Sequence, residues 1–202
     1  MTFPISSSDK QYLAALALGN EAAFEALFTR YYPGLLRYAH TLLRYPTDAA
    51  EDAVAEVFCT IWAHRTQLAV AGSLAAYLYT AVKHRAFDRL REQRRTLLDI
   101  TDELPTTQPD EAHLQPDHLL AFQELSAQVG HLIEQLPERT RQVFQLHRDG
   151  GLTYEEIAGL LAISINSVKT HMFRALRFLK STLYASGYNS GVTRRLRLLS
   201  LR

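Results

Sequence analysis

Asn166, Lys169, Thr170, Phe173 and Arg177 recur at intervals of three and four residues. At about 100° per residue they share one side of a helix. Val168, Met172, Ala175, Leu176 and Leu179 share the other side, and Arg174 lies at the edge. The first face suits nucleic acid. The Asn166 amide and Thr170 hydroxyl can hydrogen-bond base edges, the Phe173 ring can meet a thymine methyl, and Lys169, Arg174 and Arg177 suit phosphates or guanine. Ser164 and Ser167 begin the same segment and complete the candidate DNA-binding set, with Ser164 also a good N-cap. His171 and Phe178 fall at the boundary and read as packing residues.

The residues upstream tell how this helix is presented. Gly150-Gly151 supplies the positive φ that ends the preceding helix. Thr153 and Glu156 form a Thr-x-x-Glu capping box, opening a helix that carries Ile157, Ala158, Leu160 and Leu161. Ala162-Ile163-Ser164 is a short turn, and small Ala158 lets two helices cross closely, so the spacing predicts a helix-turn-helix. The helix before it starts at Leu136-Pro137-Glu138, with proline at the first helical position, and buries Val143, Phe144 and His147 or their neighbours. A basic face alone would favour a plain three-helix bundle with a solvated surface. Capping box, turn, small residue and polar face together favour DNA.

Two further constellations lie in the first half. Thr47 and the first-turn acids open a helix running to Trp62, with Ala53, Val54, Val57, Phe58, Ile61 and Trp62 apolar. Asp48, Asp52 and Glu56, four apart, make a like-charge stripe with Glu51 beside it, at a cost of a few tenths of a kcal/mol per pair. Such a stripe is a solvated face or a site for a basic protein. The next helix, 73–95, carries Lys83, Arg85, Arg89, Arg91, Arg94 and Arg95 against only Asp88 and Glu92. Tyr77, Tyr79 and Phe87 interleave with these cations and with His84, a pattern that suits single-stranded or melted DNA. Helical aromatics are mostly core, so two of the three are expected to be structural.

Other chemistry is missing. There is no Gly-rich phosphate loop, no Gly-x-Ser-x-Gly and no His-Glu-x-x-His. The eight histidines are scattered, and His113 and His118 have no metal spacing. No enzyme, cofactor, metal site or small-molecule substrate is expected. A single cysteine, Cys59, allows no internal disulfide.

The elements that position these residues read as all-α, two small helical domains joined by an acidic linker, the C-terminal one a helix-turn-helix. The expected organisation is a first domain at 1–95, a linker at 96–118, the helix-turn-helix domain at 119–184 and a basic, disordered tail at 185–202. In the first domain Phe24, Leu27, Phe28 and Tyr31 form one buried stripe, and breaks are expected at Tyr32-Pro33-Gly34, Tyr45-Pro46-Thr47 and Ala71-Gly72-Ser73. Residues 99–118 hold three prolines and six acids, too little apolar surface to offset ordering. The net charge of the 202 residues is +1, but segments 1–95, 96–138 and 139–202 carry +2, −9 and +8. Segregation of this kind points to nucleic acid or to an acidic linker between working parts. Residues 1–10 lack the pattern of a signal peptide, and no run approaches the ~18–20 apolar residues of a membrane span, so a cytoplasmic setting is expected.

These blocks, in this order, resemble the extracytoplasmic-function (ECF) sigma factors of bacterial RNA polymerase. The likeness covers about residues 15–184. It rests first on Ala23-Phe-Glu-Ala-Leu-Phe-Thr-Arg-Tyr-Tyr32, Asp48-Ala-Ala-Glu-Asp-Ala-Val-Ala-Glu-Val-Phe58, Trp62 and Tyr77-Leu-Tyr-Thr-Ala-Val-Lys83 with Asp88 and Arg91. In the second half it rests on Leu136-Pro137, Arg141-x-Val-Phe144, Leu152-Thr-Tyr-Glu-Glu-Ile-Ala158, Ile163-Ser164 and Val168-Lys169-Thr170. The run Val168–Leu179 is similar to the iron-citrate-type and Bacteroidetes subgroups. The resemblance implies that the first domain binds and melts the −10 element through Tyr77, Tyr79, Lys83, His84, Arg85, Arg89, Arg91 and Arg94. It implies that Asp48, Glu51, Asp52 and Glu56 grip the β′ clamp helices of core RNA polymerase. The helix-turn-helix would read the −35 element of promoter DNA and touch the β flap. An anti-sigma factor, free or membrane-bound, is an implied partner. Two departures stand out. Lys83-His84 replaces part of a common Ala-Arg-Asn run, and Ala162 replaces a common turn glycine, which is tolerable if that position is not left-handed.

Two other functions compete. A helix-turn-helix regulator with a sensing or dimerising first half would bind duplex DNA without polymerase and would not need the acidic stripe. A helical adaptor would show no salt-dependent DNA affinity.

Overall fold

The computed structural model describes residues 7–43, 47–70, 73–99 and 129–185, with side chains at 9–43, 48–70, 73–92 and 129–182. The described residues are helices and short turns. The chain divides into two compact units, Met1–Pro109 and Asp110–Arg202.

The first unit contains α1 (Ser7–Ala17), α2 (Glu21–Leu42), α3 (Thr47–Ala63) and α4 (Leu74–Asp99). Gly19, at φ +75°, turns the chain out of α1, and the Asn20 side chain caps α2 by accepting from the Ala23 N–H at 3.0 Å. Ser73 does the same for α4 through the Ala76 N–H at 3.1 Å. Helices α2, α3 and α4 pack on one another and α1 lies on α2. Leu27, Tyr31, Leu35, Tyr38 and Ala39 of α2 meet the predicted apolar face of α3, and Leu74, Leu78, Tyr79, Val82 and Ala86 complete the core from α4. Phe24, Phe28 and Trp62, expected in the same stripes, are half-buried, with Phe24 5.1 Å from Trp62 and Phe28 4.8 Å from Phe58 between ring centroids.

The break expected at Tyr32-Pro33-Gly34 does not occur, because α2 runs through it. Pro33 removes one ladder hydrogen bond, at a cost of about 3 kcal/mol in a helix interior. It lies exposed, on the side where a helix can curve outward. The buried residues on either side form one stripe, and burying each large one contributes about 1.5–3 kcal/mol, so continuity outweighs the defect. The other two expected breaks fall between α2 and α3 and just before α4, while their residues 45, 46, 71 and 72 lie outside the described set. Helix α4 continues to Asp99, so residues 96–99, assigned to the linker from sequence, are helical. The rest of the expected linker and the tail from 186 lie outside the described residues.

The second unit contains helical residues 129–134, then α5 (Glu138–Arg148), α6 (Tyr154–Leu161) and α7 (Ile165–Ala185). Pro137 is the N-cap of α5 rather than its first helical residue, a one-residue shift that leaves its missing N–H equally harmless. Val143, Phe144 and Leu146 are buried, whereas His147 is half-buried and bonds the Leu152 carbonyl through Nδ1 at 2.9 Å. Gly151 takes the positive φ, +67°, that the Gly-Gly pair predicts. Helices α5, α6 and α7 pack around Val143, Phe144, Ile157, Leu161, Val168 and Met172.

Candidate nucleic-acid interface

The predicted capping box is present in full. The Glu156 N–H donates to Thr153 Oγ1 at 3.2 Å, and the Thr153 N–H donates to Glu156 Oε2 at 2.8 Å. At the other end of α6, Ala162 adopts φ 53°, ψ 47°, and the Ile163 N–H returns to the Ala158 carbonyl at 3.0 Å. This six-to-one closure is the Schellman pattern that usually has glycine at the left-handed residue. The condition under which Ala162 was tolerable is therefore not met, and the turn carries local strain. Arg139, which sequence reading did not single out, fastens the same end by donating to the Leu161 carbonyl at 3.0 Å and to Gln142 Oε1 at 2.9 Å.

Helix α7 begins with Ser164, whose Oγ accepts the Ser167 N–H at 3.0 Å and lies 2.9 Å from the Ser167 hydroxyl. Both serines of the candidate set are thus engaged in the cap. Asn166, Lys169, Thr170, Phe173, Arg174 and Arg177 are all exposed, and Phe173 is 63 % exposed despite its apolar ring. Val168, Met172, Ala175 and Leu179 are buried on the opposite side, whereas Leu176 is only half-buried. Thr170 Oγ1 donates to the Asn166 carbonyl at 2.9 Å, so its hydroxyl is used within the helix. That leaves its methyl as the apolar feature beside Phe173. His171 is half-buried with Nδ1 3.0 Å from Thr140 Oγ1. Burial, then Arg174 and Arg139, lower its pKa below 6.5, which keeps the imidazole neutral at pH 7.

The α4 set is divided by the fold. Tyr79 is 2 % exposed and packs on Tyr38 at 5.3 Å, so the expected base contact is corrected to a core position. Tyr77 is half-buried, His84 is exposed, and the Lys83 ammonium lies 6.0 Å above the exposed Phe87 ring. Arg91 pairs with Asp88 at 2.9 Å. The Arg94 side chain lies outside the described residues.

Asp48, Glu51, Asp52 and Glu56 are exposed along α3 as the stripe predicts. Glu51 and burial both raise the pKa of Tyr32, burial more. The tertiary structure adds a contact that no intrahelical spacing announces. Arg89 of α4 bridges Asp52, at 3.4 Å, and Glu56, and Arg85 Nε lies 3.8 Å from Glu56 Oε2. The acidic and basic constellations, separate in the sequence, meet here. Among the described residues no group of His, Cys, Asp or Glu side chains could hold a metal ion.

A helix-turn-helix with a two-faced second helix, following a helical unit that pairs acidic and basic surfaces, defines a DNA-binding protein. Residues 27–96 match the family model of sigma-70 region 2, and residues 126–179 match that of sigma-70 region 4. The chain is 30% identical over 182 residues to the ECF RNA polymerase sigma factor SigL of Mycobacterium tuberculosis, covering 87% of this chain and 97% of SigL. It is 28% identical over 186 residues to SigK of Mycobacterium bovis (91% and 98% covered), and 28% over 162 residues to RpoE of Cereibacter sphaeroides (78% and 84%). Among solved structures, CnrH in complex with the cytosolic domain of CnrY is similar at 22% identity and TM-score 0.48, covering 89% of this chain and 99% of that one. RpoE in complex with the anti-sigma factor NepR from Bartonella quintana is similar at 21% identity and TM-score 0.48 (80% and 96%). The chain belongs to the ECF sigma factors of RNA polymerase. It directs promoter-specific transcription initiation through regions 2 and 4 and is not an enzyme.

Proposed function

We propose a division of labour between the two units. In the second, α7 reads the −35 element with Asn166, Lys169, Thr170, Phe173, Arg174 and Arg177, while Ser164 and Ser167 hold its N-terminus toward the backbone phosphates. In the first, Tyr77, Lys83, His84, Arg85, Arg89 and Arg91 of α4 line the −10 strand, with Tyr79 supporting them from the core. Asp48, Glu51, Asp52 and Glu56 of α3 meet the β′ clamp helices of the polymerase, and the second unit touches the β flap. Residues 1–95 and 119–184 are the working domains, 96–118 the acidic connection, beginning with the last four residues of α4, and 185–202 a basic tail. The chain acts in the cytoplasm under an anti-sigma factor, and the run Val168–Leu179 supports an iron-citrate-type subgroup. Among the described residues no helix is long and apolar enough to cross a membrane.

The observation that carries the reading is the two-faced α7. Its polar and cationic residues and Phe173 stand exposed while Val168, Met172, Ala175 and Leu179 are buried. The test is selection of promoters from a random duplex library by core polymerase plus this chain, followed by permanganate footprinting. Two conserved blocks should emerge. Lys169→Ala and Arg177→Ala should weaken use of the upstream block with downstream melting intact once bound. Selection unaffected by both substitutions contradicts the assignment.

A further inference from the structure

The turn Ala162-Ile163-Ser164 joins α6 to α7, so its backbone sets the tilt of the recognition helix. Ala162 holds φ 53°, ψ 47°, a conformation unfavourable to an L side chain. Such a conformation persists only where its surroundings over-determine it.

Two consecutive residues of α5 do so. Arg139 Nη1 donates to Oε1 of the buried Gln142 at 2.9 Å, and Nη2 donates to the Leu161 carbonyl at 3.0 Å. The Gln142 arm fixes the plane of the guanidinium, so the second arm meets the residue before Ala162 already oriented. Thr140 is buried, and its Oγ1 lies 3.0 Å from His171 Nδ1 on α7. Helix α5 thus holds both sides of the turn, at the end of α6 and in the body of α7.

The lever is long. At about 1.5 Å per residue, Arg177 lies about 18 Å along α7 from Ile165. A tilt of about 10° at the turn moves it by about 3 Å, enough to lose a hydrogen bond.

We propose that Arg139 is a positioning residue for promoter reading, an inference that rests on the assignment of α7 to the −35 element. It touches no base. It locks the strained turn at Ala162 so that α7 enters the groove at one angle, with Thr140 as the second anchor through His171. Glycine at position 162 would relax the turn and make the clamp dispensable.

The test compares half-saturating holoenzyme concentrations on two promoters, one with the selected upstream block and one with that block scrambled. Their ratio is the upstream selectivity. Arg139→Met keeps the length of the side chain without its donors and should lower the ratio about fivefold, the effect of one ordinary hydrogen bond. Ala162→Gly in the same chain should restore it. The slope of log affinity against log salt should stay unchanged, because no phosphate contact is lost. Thr140→Val should lower the ratio through the second anchor. Ile133→Val, a buried truncation before α5, should lower the denaturant midpoint without lowering the ratio, with circular dichroism confirming the fold of each variant. An unchanged ratio in Arg139→Met or in Thr140→Val overturns the proposal. So does a salt slope smaller by about one, which marks a direct phosphate contact. Failure of Ala162→Gly to restore selectivity, or an equal fall in Ile133→Val, overturns it as well. Wild-type holoenzyme with no preference for the upstream block defeats the assignment of α7 itself, whereas a preference kept in full by Arg139→Met defeats the clamp alone.

Discussion

Ala162, at φ 53°, ψ 47°, holds a backbone conformation that costs an L residue about 1–2 kcal/mol. Glycine relieves that strain but gives back about 0.4–1 kcal/mol as unfolded-state entropy. Ala162→Gly is therefore expected to stabilise the second unit by about 0.5–1 kcal/mol, seen as a higher denaturant midpoint with unchanged slope; a lower midpoint contradicts it. Phe173 offers a second test at this scale. With the Thr170 hydroxyl donated to the Asn166 carbonyl, its methyl and the exposed Phe173 ring make the middle of the recognition face apolar. On the proposed −35 contact, replacing a thymine opposite them by deoxyuridine removes one methyl, worth about 0.8 kcal/mol or roughly fourfold in affinity. Phe173→Ala should abolish that discrimination, and persistence of the full effect in the variant contradicts the contact. The polar identity of this face was legible because one helix decides it by rotation alone. The fate of the hydroxyl was not, since Thr170 can turn outward to a base or inward to Asn166 with the same sequence. Tyr79 shows the complementary limit. Its ring alternates with cations in the sequence, yet burial against Tyr38, a residue far away in the chain, decides its role.

Among the elements, the caps were the most readable features, because each is closed within three residues. The capping box on α6 is the clearest, and Thr153→Ala is expected to cost about 1 kcal/mol in unfolding experiments on the full chain. No change in stability contradicts its role in fixing the helix-turn-helix. Pro33 marks where local reading fails. A proline-glycine pair is a breaker by propensity, but Leu27 and Tyr31 before it and Leu35 and Tyr38 after it bury on one face, and packing overrides propensity. The α5–α7 contact gives a pH prediction. His171 in the folded unit has a lowered pKa, from burial first and then Arg174 and Arg139. The unfolded chain therefore takes the proton first, so this contribution is present above pH 6.5 and is lost as the pH falls toward the lower folded value. Thermal melts of the second unit's signal should show a decline across that window that His171→Gln flattens. An unchanged decline in the variant assigns the effect elsewhere.

At the scale of the molecule, the segments of opposite charge proved more informative than the near-neutral total. The +8 segment holds the folded helix-turn-helix unit, while much of the −9 segment falls outside the described residues. What charge order could not reveal is the pairing of α3 with α4, because it depends on how two helices dock rather than on either alone. Phosphate contacts by α7 should make promoter binding by the holoenzyme salt-dependent, with Arg177→Ala lowering the slope of log affinity against log salt by about one. An unchanged slope removes Arg177 from the phosphate set. The division of labour proposed above has α7 selecting the promoter while the first unit engages polymerase. Run-off transcription with purified core polymerase, on a promoter recovered by selection, tests it most directly. The expected result is a transcript that requires this chain and falls at least tenfold when Lys169 and Arg177 are both replaced by alanine, about 1.4 kcal/mol or more of lost promoter recognition. No transcript, from a chain that holds the same duplex tightly without polymerase, would contradict it.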